Sequence, residues 1–134
     1  MNRRRGFALL MVLVMSAFIG ASALLLFSTA NLETMIVGNT HRINQAKISA
    51  TSGLAHFTAL GLTYDTLRER ADGLQTLQIL PETQLGAKTS YEVKVHFYPR
   101  LSERQYVVES TGYYKKADRI ISVHPIKALF EGEQ

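Results

Sequence analysis

The sequence predicts an α+β chain: a long N-terminal helix, membrane-spanning in its first half and amphipathic in its second, packed on a small antiparallel three-stranded sheet. Three observations carry this expectation. Residues 7–32 contain no charged side chain. Apolar and small residues from Leu32 to Leu60 recur at helical spacings. From Tyr91 onward the pattern changes to the period-two alternation of half-buried strands.

The first element follows from length and composition. Residues 7–30 are mainly Leu, Val, Met, Ala, Phe and Ile. As a helix rising 1.5 Å per residue they reach about 36 Å, against a hydrocarbon core of roughly 30 Å. Arg3, Arg4 and Arg5 precede the stretch and Glu33 is the first charge after it, which orients the N-terminus toward the cytoplasm. The same arginines explain the basic balance: removing three from 15 Lys and Arg leaves 12 against 11 Asp and Glu. The net charge of +4 is therefore mostly topogenic and gives little support for a phosphate-binding surface. The chain has no cysteine, so packing, not disulfides, must stabilise the domain beyond the span.

Leu32, Met35, Ile36, Ile43, Ala46, Ala50, Gly53, Phe57 and Leu60 make the apolar face of the second helical half, with Thr40, Arg42, Asn44, Gln45 and Lys47 largely opposite. Residues 7–62 contain no proline, so the two halves can form one helix with Gly20, Gly38 and Gly53 as soft points and local melting near Gly38-Asn39. Thr63–Asp72, between Gly61 and Gly73, suits a short second helix, with a loop after it through Pro81 and Gly86. Tyr91, Val93, Val95 and Phe97 alternate with Glu92, Lys94, His96 and Tyr98 as a strand ending at Pro99. Gln105–Tyr114 and Arg119–Pro125 read as two more, joined by the turn Lys115-Lys116-Ala117-Asp118. Such a meander needs a helix on one face, and the face ending in Phe57 and Leu60 is the candidate.

Three readings of the N-terminus remain open on residues alone. A signal anchor explains the apolar run but gives Gly6 no role. A cleaved secretory signal finds small residues at Ser28-Thr29-Ala30, but the run exceeds the usual 7–15-residue apolar region. Third, Arg5-Gly6-Phe7-Ala8-Leu9-Leu10-Met11 resembles the class III signal of type IV pilins and type II secretion pseudopilins. The continuation Ser28-Thr29-Ala30-Asn31-Leu32-Glu33-Thr34-Met35, then Val37-Gly38-Asn39, is similar to PilX-type minor pilins. The resemblance covers roughly residues 3–60.

This resemblance implies a leader of residues 1–6, a transmembrane half over 7–30, an amphipathic half over 31–62 and a small pilin domain over 63–134. It implies that a prepilin peptidase cuts between Gly6 and Phe7 and methylates the Phe7 amine, leaving 128 of the 134 residues. Most major pilins carry glutamate at the fifth mature position, where this chain has Met11. In the family that carboxylate pairs with a neighbouring subunit's amine, and a charge buried without such a partner is costly. A subunit lacking the acid suits the filament tip. The implied function is that of a priming subunit at or near the tip of a type IV pilus, with a minor pseudopilin of a type II secretion system as the alternative. Implied partners are other minor pilins and the major pilin through helix packing at Leu32, Ile36, Ile43 and Phe57, the prepilin peptidase, the inner-membrane assembly machinery and the membrane itself. The implied location is the bacterial inner membrane in a single pass, then the periplasm and the cell-surface pilus.

No residues point to catalysis. His41 and His56 are roughly 22 Å apart along a helix at 1.5 Å per residue, too far to share a metal. His96 and His124 read as surface or edge strand residues. Ser110 lacks a nucleophile elbow, and P-loop, dinucleotide, HExxH and calcium-loop patterns are missing from the sequence. Glu131 and Glu133 flank Gly132 in what reads as a solvated tail rather than a calcium loop. The expectation is a non-enzyme with no cofactor and no metal. Tyr91, Tyr98, Tyr106, Tyr113 and Tyr114 lie among Lys94, Arg104, Lys115 and Lys116, a mixture that can hold single-stranded DNA. Tyrosine is also a favoured strand residue. Tyr113, Lys115 and Lys116 are thus named as a ligand-contact candidate, with nucleic acid the disfavoured ligand and adhesion or DNA binding the less favoured role.

Overall fold

The computed structural model describes residues 2–98 and 104–132, with side chains from Phe7 onward. The expected strand stop at Pro99 and the tail residue Glu133 lie outside the described residues. The chain forms two compact units, one up to Asn39 and one from Thr40.

Helix α1 spans Asn2–Ala59, and Gly20, Gly38 and Gly53 all lie within it without a break. In the first unit every large apolar side chain from Phe7 to Val37 is more than half exposed. Ser16, Ser22, Thr29 and Thr34 each donate to the carbonyl four residues back, at 2.7–2.9 Å. These bonds hide hydroxyls that an apolar surrounding would otherwise leave unpaired.

In the second unit, the Thr40–Ala59 part of α1 is followed by α2 (Tyr64–Ala71). Thr63 caps α2 by accepting the Thr66 N–H at 3.4 Å, and Asp72 ends it in the left-handed region at φ 44. Four strands complete the α+β fold: β1 (Thr76–Gln84), β2 (Thr89–His96), β3 (Gln105–Lys116) and β4 (Arg119–Glu131). They form one open antiparallel sheet in the order β1-β2-β3-β4.

The sheet therefore has four strands, not the expected three, because the segment read as a loop through Pro81 is β1. Leu77, Ile79, Leu80 and Thr83 of β1 are half-buried. Pro81 is tolerated because β1 is an edge strand, and it lies within the second of two register shifts, between Leu80 and Thr83. Pro125 likewise fails to end β4, the other edge, which continues to Glu131. The turn is shorter than expected, with β3 reaching Lys116 and Ala117 and Asp118 turning the chain at φ 50 and 60. Positive φ at both central residues is the geometry that joins two twisted strands most tightly.

One sheet face carries Tyr91, Val93, Val95, Phe97, Tyr106 and Val108, which are buried with Phe57, Leu67 and Ala71. Tyr106 stacks on Phe130 at 5.7 Å and Phe57 meets Phe130 edge-on at 5.6 Å. The helix residues that cover this face differ from expectation. Ala46, Ser49, Ala50, Gly53 and Phe57 are buried, Arg42 and Gln45 are half-buried, and Ile43 and Leu60 are each 43% exposed. Small residues win because α1 lies nearly against the backbone of β3. A Cβ on Gly112 would overlap main-chain atoms of Ala46 and Ala50, and one on Gly53 would overlap Ser110 and Tyr91. Gly53 is therefore a packing position and not a soft point. Ser110 fastens the approach by donating to the Ala50 carbonyl at 2.7 Å.

Candidate functional site

Two surfaces carry the residues singled out by sequence. The first is the N-terminal part of α1. The Phe7–Ala59 portion is long and apolar enough to cross a membrane, and its most apolar window has no buried residue. Such exposure separates it from the core helix of a water-soluble domain. Phe7 is 65% exposed and Met11, one helical turn later, 52%. Leu32 and Ile36 are exposed farther along the same unit. Ile43 is partly open in the second unit, whereas Phe57 is interior to that unit's core. Phe57 thus braces the domain and is withdrawn from any outside contact. Arg3, Arg4, Arg5 and Gly6 carry no described side-chain environment.

The second surface is the sheet face turned away from α1. Here β2 and β3 place Glu92 and Glu109 among hydroxyls and amines, and β1 contributes Glu82. Glu82 contacts Lys115 and accepts from Ser90 at 2.6 Å. The Lys115 bond, then Ser90, hold the Glu82 carboxyl below its ordinary range. Glu92 accepts from Tyr113 at 2.6 Å and from Lys94 at 3.0 Å. Burial pushes the Glu92 carboxyl up, but the Tyr113 and Lys94 bonds together outweigh it and leave the group below its usual value. Tyr113 is pushed upward, first by burial and then by its bond to Glu92. Glu109 lies 3.1 Å from His96 Nε2 and 3.2 Å from Lys127 Nζ. His96 Nδ1 reaches the Thr76 hydroxyl at 3.0 Å.

These contacts tie up part of the tyrosine and lysine mixture. Tyr113, Lys115 and Lys94 are engaged by Glu82 and Glu92, and Lys116 is exposed at the end of β3. Tyr91 and Tyr106 are buried on the opposite face, with the Tyr91 hydroxyl 2.7 Å from His56 Nδ1. Tyr114 meets His41 edge-on at 6.5 Å. Arg104 is bonded through one nitrogen to both Asp65 oxygens, at 3.2 and 3.1 Å. The aromatics are thus divided between two faces, and Glu82 and Glu92 engage Tyr113, Lys94 and Lys115.

The four histidines do not converge. His41 and His56 lie on α1, His96 faces Glu109, and His124 on β4 is opposite Gly112. Among the described residues no group of three or more His, Cys, Asp or Glu is placed to hold a metal ion. Glu131 ends β4, so it belongs to the sheet and not to a free tail.

Sequence reading missed the part played by Glu82, Glu109, Ser110 and Gly112. Gly112 carried a usable signal, since a glycine inside an alternating strand marks a bulge or a close backbone approach. Compared with family models, curated proteins and solved structures, the chain finds no match.

Proposed function

We propose that this chain is a minor pilin of PilX type, held in the inner membrane by the first half of α1 and assembled at or near the tip of a type IV pilus. The observation that carries the reading is the Gly6-Phe7 junction behind three arginines, opening a helix whose large apolar side chains from Phe7 to Val37 are all exposed. A cut there removes the arginines and leaves the anchor attached to the domain. The α+β architecture supports the same reading, since half of one helix is left for lipid or neighbouring helices and the other half packs on a sheet.

Met11 supports the tip position, because an uncharged side chain there needs no neighbouring amine. Priming then works through α1: exposed residues from Phe7 to Ile36 pack against the helices of other minor pilins and the major pilin after the prepilin peptidase has acted. In lipid such packing gains from close van der Waals contact rather than from water release. The subunit performs no catalysis and needs no cofactor in this role. A minor pseudopilin of a type II secretion system would use the same junction and helix. Tip pseudopilins usually bear a large inserted domain, and the connections 85–88 and 117–118 are short, which favours the pilus.

Replacing Gly6 with leucine tests the proposal in piliated cells. The expected result is an unprocessed chain and loss of its assembly into filaments. Normal processing and normal piliation, with no second minor pilin substituting, would refute it.

A further inference from the structure

An open sheet has two edges, and here they differ. The β1 edge is interrupted by register shifts between Gln78 and Leu80 and between Leu80 and Thr83, and it carries Pro81. Such features blunt an edge. β4 keeps an unbroken register with β3 from Glu131 back to Ser122, and among the described residues no strand pairs with its outer side.

One bond fixes which main-chain groups face outward. The Gly132 N–H donates to the Arg104 carbonyl at 2.9 Å. In an antiparallel ladder alternate residues make the cross-strand bonds, so Phe130, Ala128, Ile126, His124 and Ser122 point theirs at β3. Val123, Lys127, Leu129 and Glu131 aim their N–H and C=O groups away. Pro125 belongs to the same outward set and offers only its carbonyl. The side chains of this set are exposed along the whole strand, with Leu129 at 59%. Lys127 contacts Glu109 at 3.2 Å yet remains 56% exposed, so its ammonium can hold a second carboxylate.

The outward residues Lys127, Leu129 and Glu131 are their own complement when the strand is reversed. An edge guarded against copies of itself carries charges of one sign, which repel in any pairing. Here a cation and an anion stand at equal distances on either side of Leu129, and that arrangement attracts a copy. We propose that β4 pairs antiparallel with β4 of a second copy, about a two-fold axis through Leu129, joining two four-stranded sheets into one. Lys127, Leu129 and Glu131 then each exchange both main-chain bonds with the residue opposite. Lys127 faces the copy's Glu131 on both sides of the axis, and Leu129 faces Leu129.

The charges select this register among those that match outward groups to outward groups. Centring the pair on Lys127 sets two lysines opposite each other, and centring it on Glu131 sets two glutamates. Centring it on Pro125 opposes two residues without an N–H. The registers between these put Lys127 or Glu131 opposite an apolar residue. Pairing β4 with the copy's β1 meets that strand's two register shifts. An edge-to-edge contact buries little surface, which makes the pairing a reversible one. It belongs to the unit from Thr40 onward and does not rest on the function proposed above.

The chain has no cysteine, so single cysteines in the full-length protein report the pairing. Residues that exchange both main-chain bonds have Cα atoms about 5.5 Å apart, inside the disulfide range of about 4.4–6.8 Å. Leu129→Cys, mildly oxidised with detergent micelles in large excess over chains, should dimerise at least roughly tenfold faster than Val123→Cys. Val123 is 50% exposed on the same edge, but in this register it lies about 40 Å from its own copy at roughly 3.3 Å per residue. A mixture of Lys127→Cys and Glu131→Cys should give the mixed dimer in preference to either self-dimer. Repeating the Leu129→Cys oxidation in cell membranes should trap the chain with itself. Equal rates for Leu129→Cys and Val123→Cys, no dimer from Leu129→Cys, or a disulfide from Leu129→Cys to a different membrane protein in place of its copy would each overturn the pairing.

Discussion

Gly112→Ala places one methyl group where α1 meets β3. The added carbon overlaps main-chain atoms of Ala46 and Ala50, and backbone has no rotamer by which to swing aside. The helix must lift, and lifting stretches the 2.7 Å bond from Ser110 to the Ala50 carbonyl. Overpacking a well-filled interior costs roughly 1–3 kcal/mol. Leaving the buried Ser110 hydroxyl unpaired costs roughly another 1–3 kcal/mol. Alanine narrows the unfolded ensemble and returns roughly 0.4–1 kcal/mol, too little to change the sign. The net loss is roughly 1–5 kcal/mol, and at roughly 4–8 °C per kcal/mol the midpoint should fall by at least about 4 °C. The chain has no tryptophan and six tyrosines, so thermal unfolding of the full-length protein in micelles can be followed by the tyrosine near-ultraviolet signal. Gly20→Ala, where an added Cβ meets nothing within 4 Å, is the control. A Gly112→Ala protein melting within about 1 °C of the parent would refute close helix-to-strand packing as the basis of this domain.

Acid should weaken the domain through Glu82 and Glu92. Both carboxyls are held below their ordinary value of 4.5 in the folded state, so their contribution is present above about pH 4.5 and is lost as pH falls through the lower folded values. Denaturant unfolding from pH 6 to pH 3 should show this decline, and Glu92→Gln should flatten it; an unchanged slope in that variant would show that Glu92 is not its source. Met11→Glu should let the subunit leave the tip and enter the filament shaft, read by immunogold labelling of sheared pili. Labelling still confined to tips would show that the missing acid does not set the position.

The strand β2 is legible in the sequence because Tyr91, Val93 and Val95 alternate without interruption and are buried, as is Phe97 just past its end. α2 is legible because Thr63 and Asp72 mark its ends. Prolines mislead at the edges: Pro81 conceals β1 and Pro125 shortens β4, since a proline's effect depends on whether its nitrogen faces a neighbouring strand or solvent. That depends on strand order, which is not local in sequence. Periodicity alone places Ile43 inward, but the spacing of α1 from β3 at Gly112 admits only small side chains. The Tyr113, Lys115 and Lys116 group resembles a ligand surface for a similar reason. Glu92 and Glu82, which engage Tyr113 and Lys115, lie 21 and 33 residues away in sequence and become neighbours only through strand register.

The central claim is a cut between Gly6 and Phe7, and intact-mass analysis of the chain recovered from membranes or filaments tests it most directly. The expected product is a chain of 128 residues, the 134 less the six of the leader, beginning at an N-methylated Phe7. A chain that retains Met1 and the three arginines, or one cut near Ala30, would contradict it.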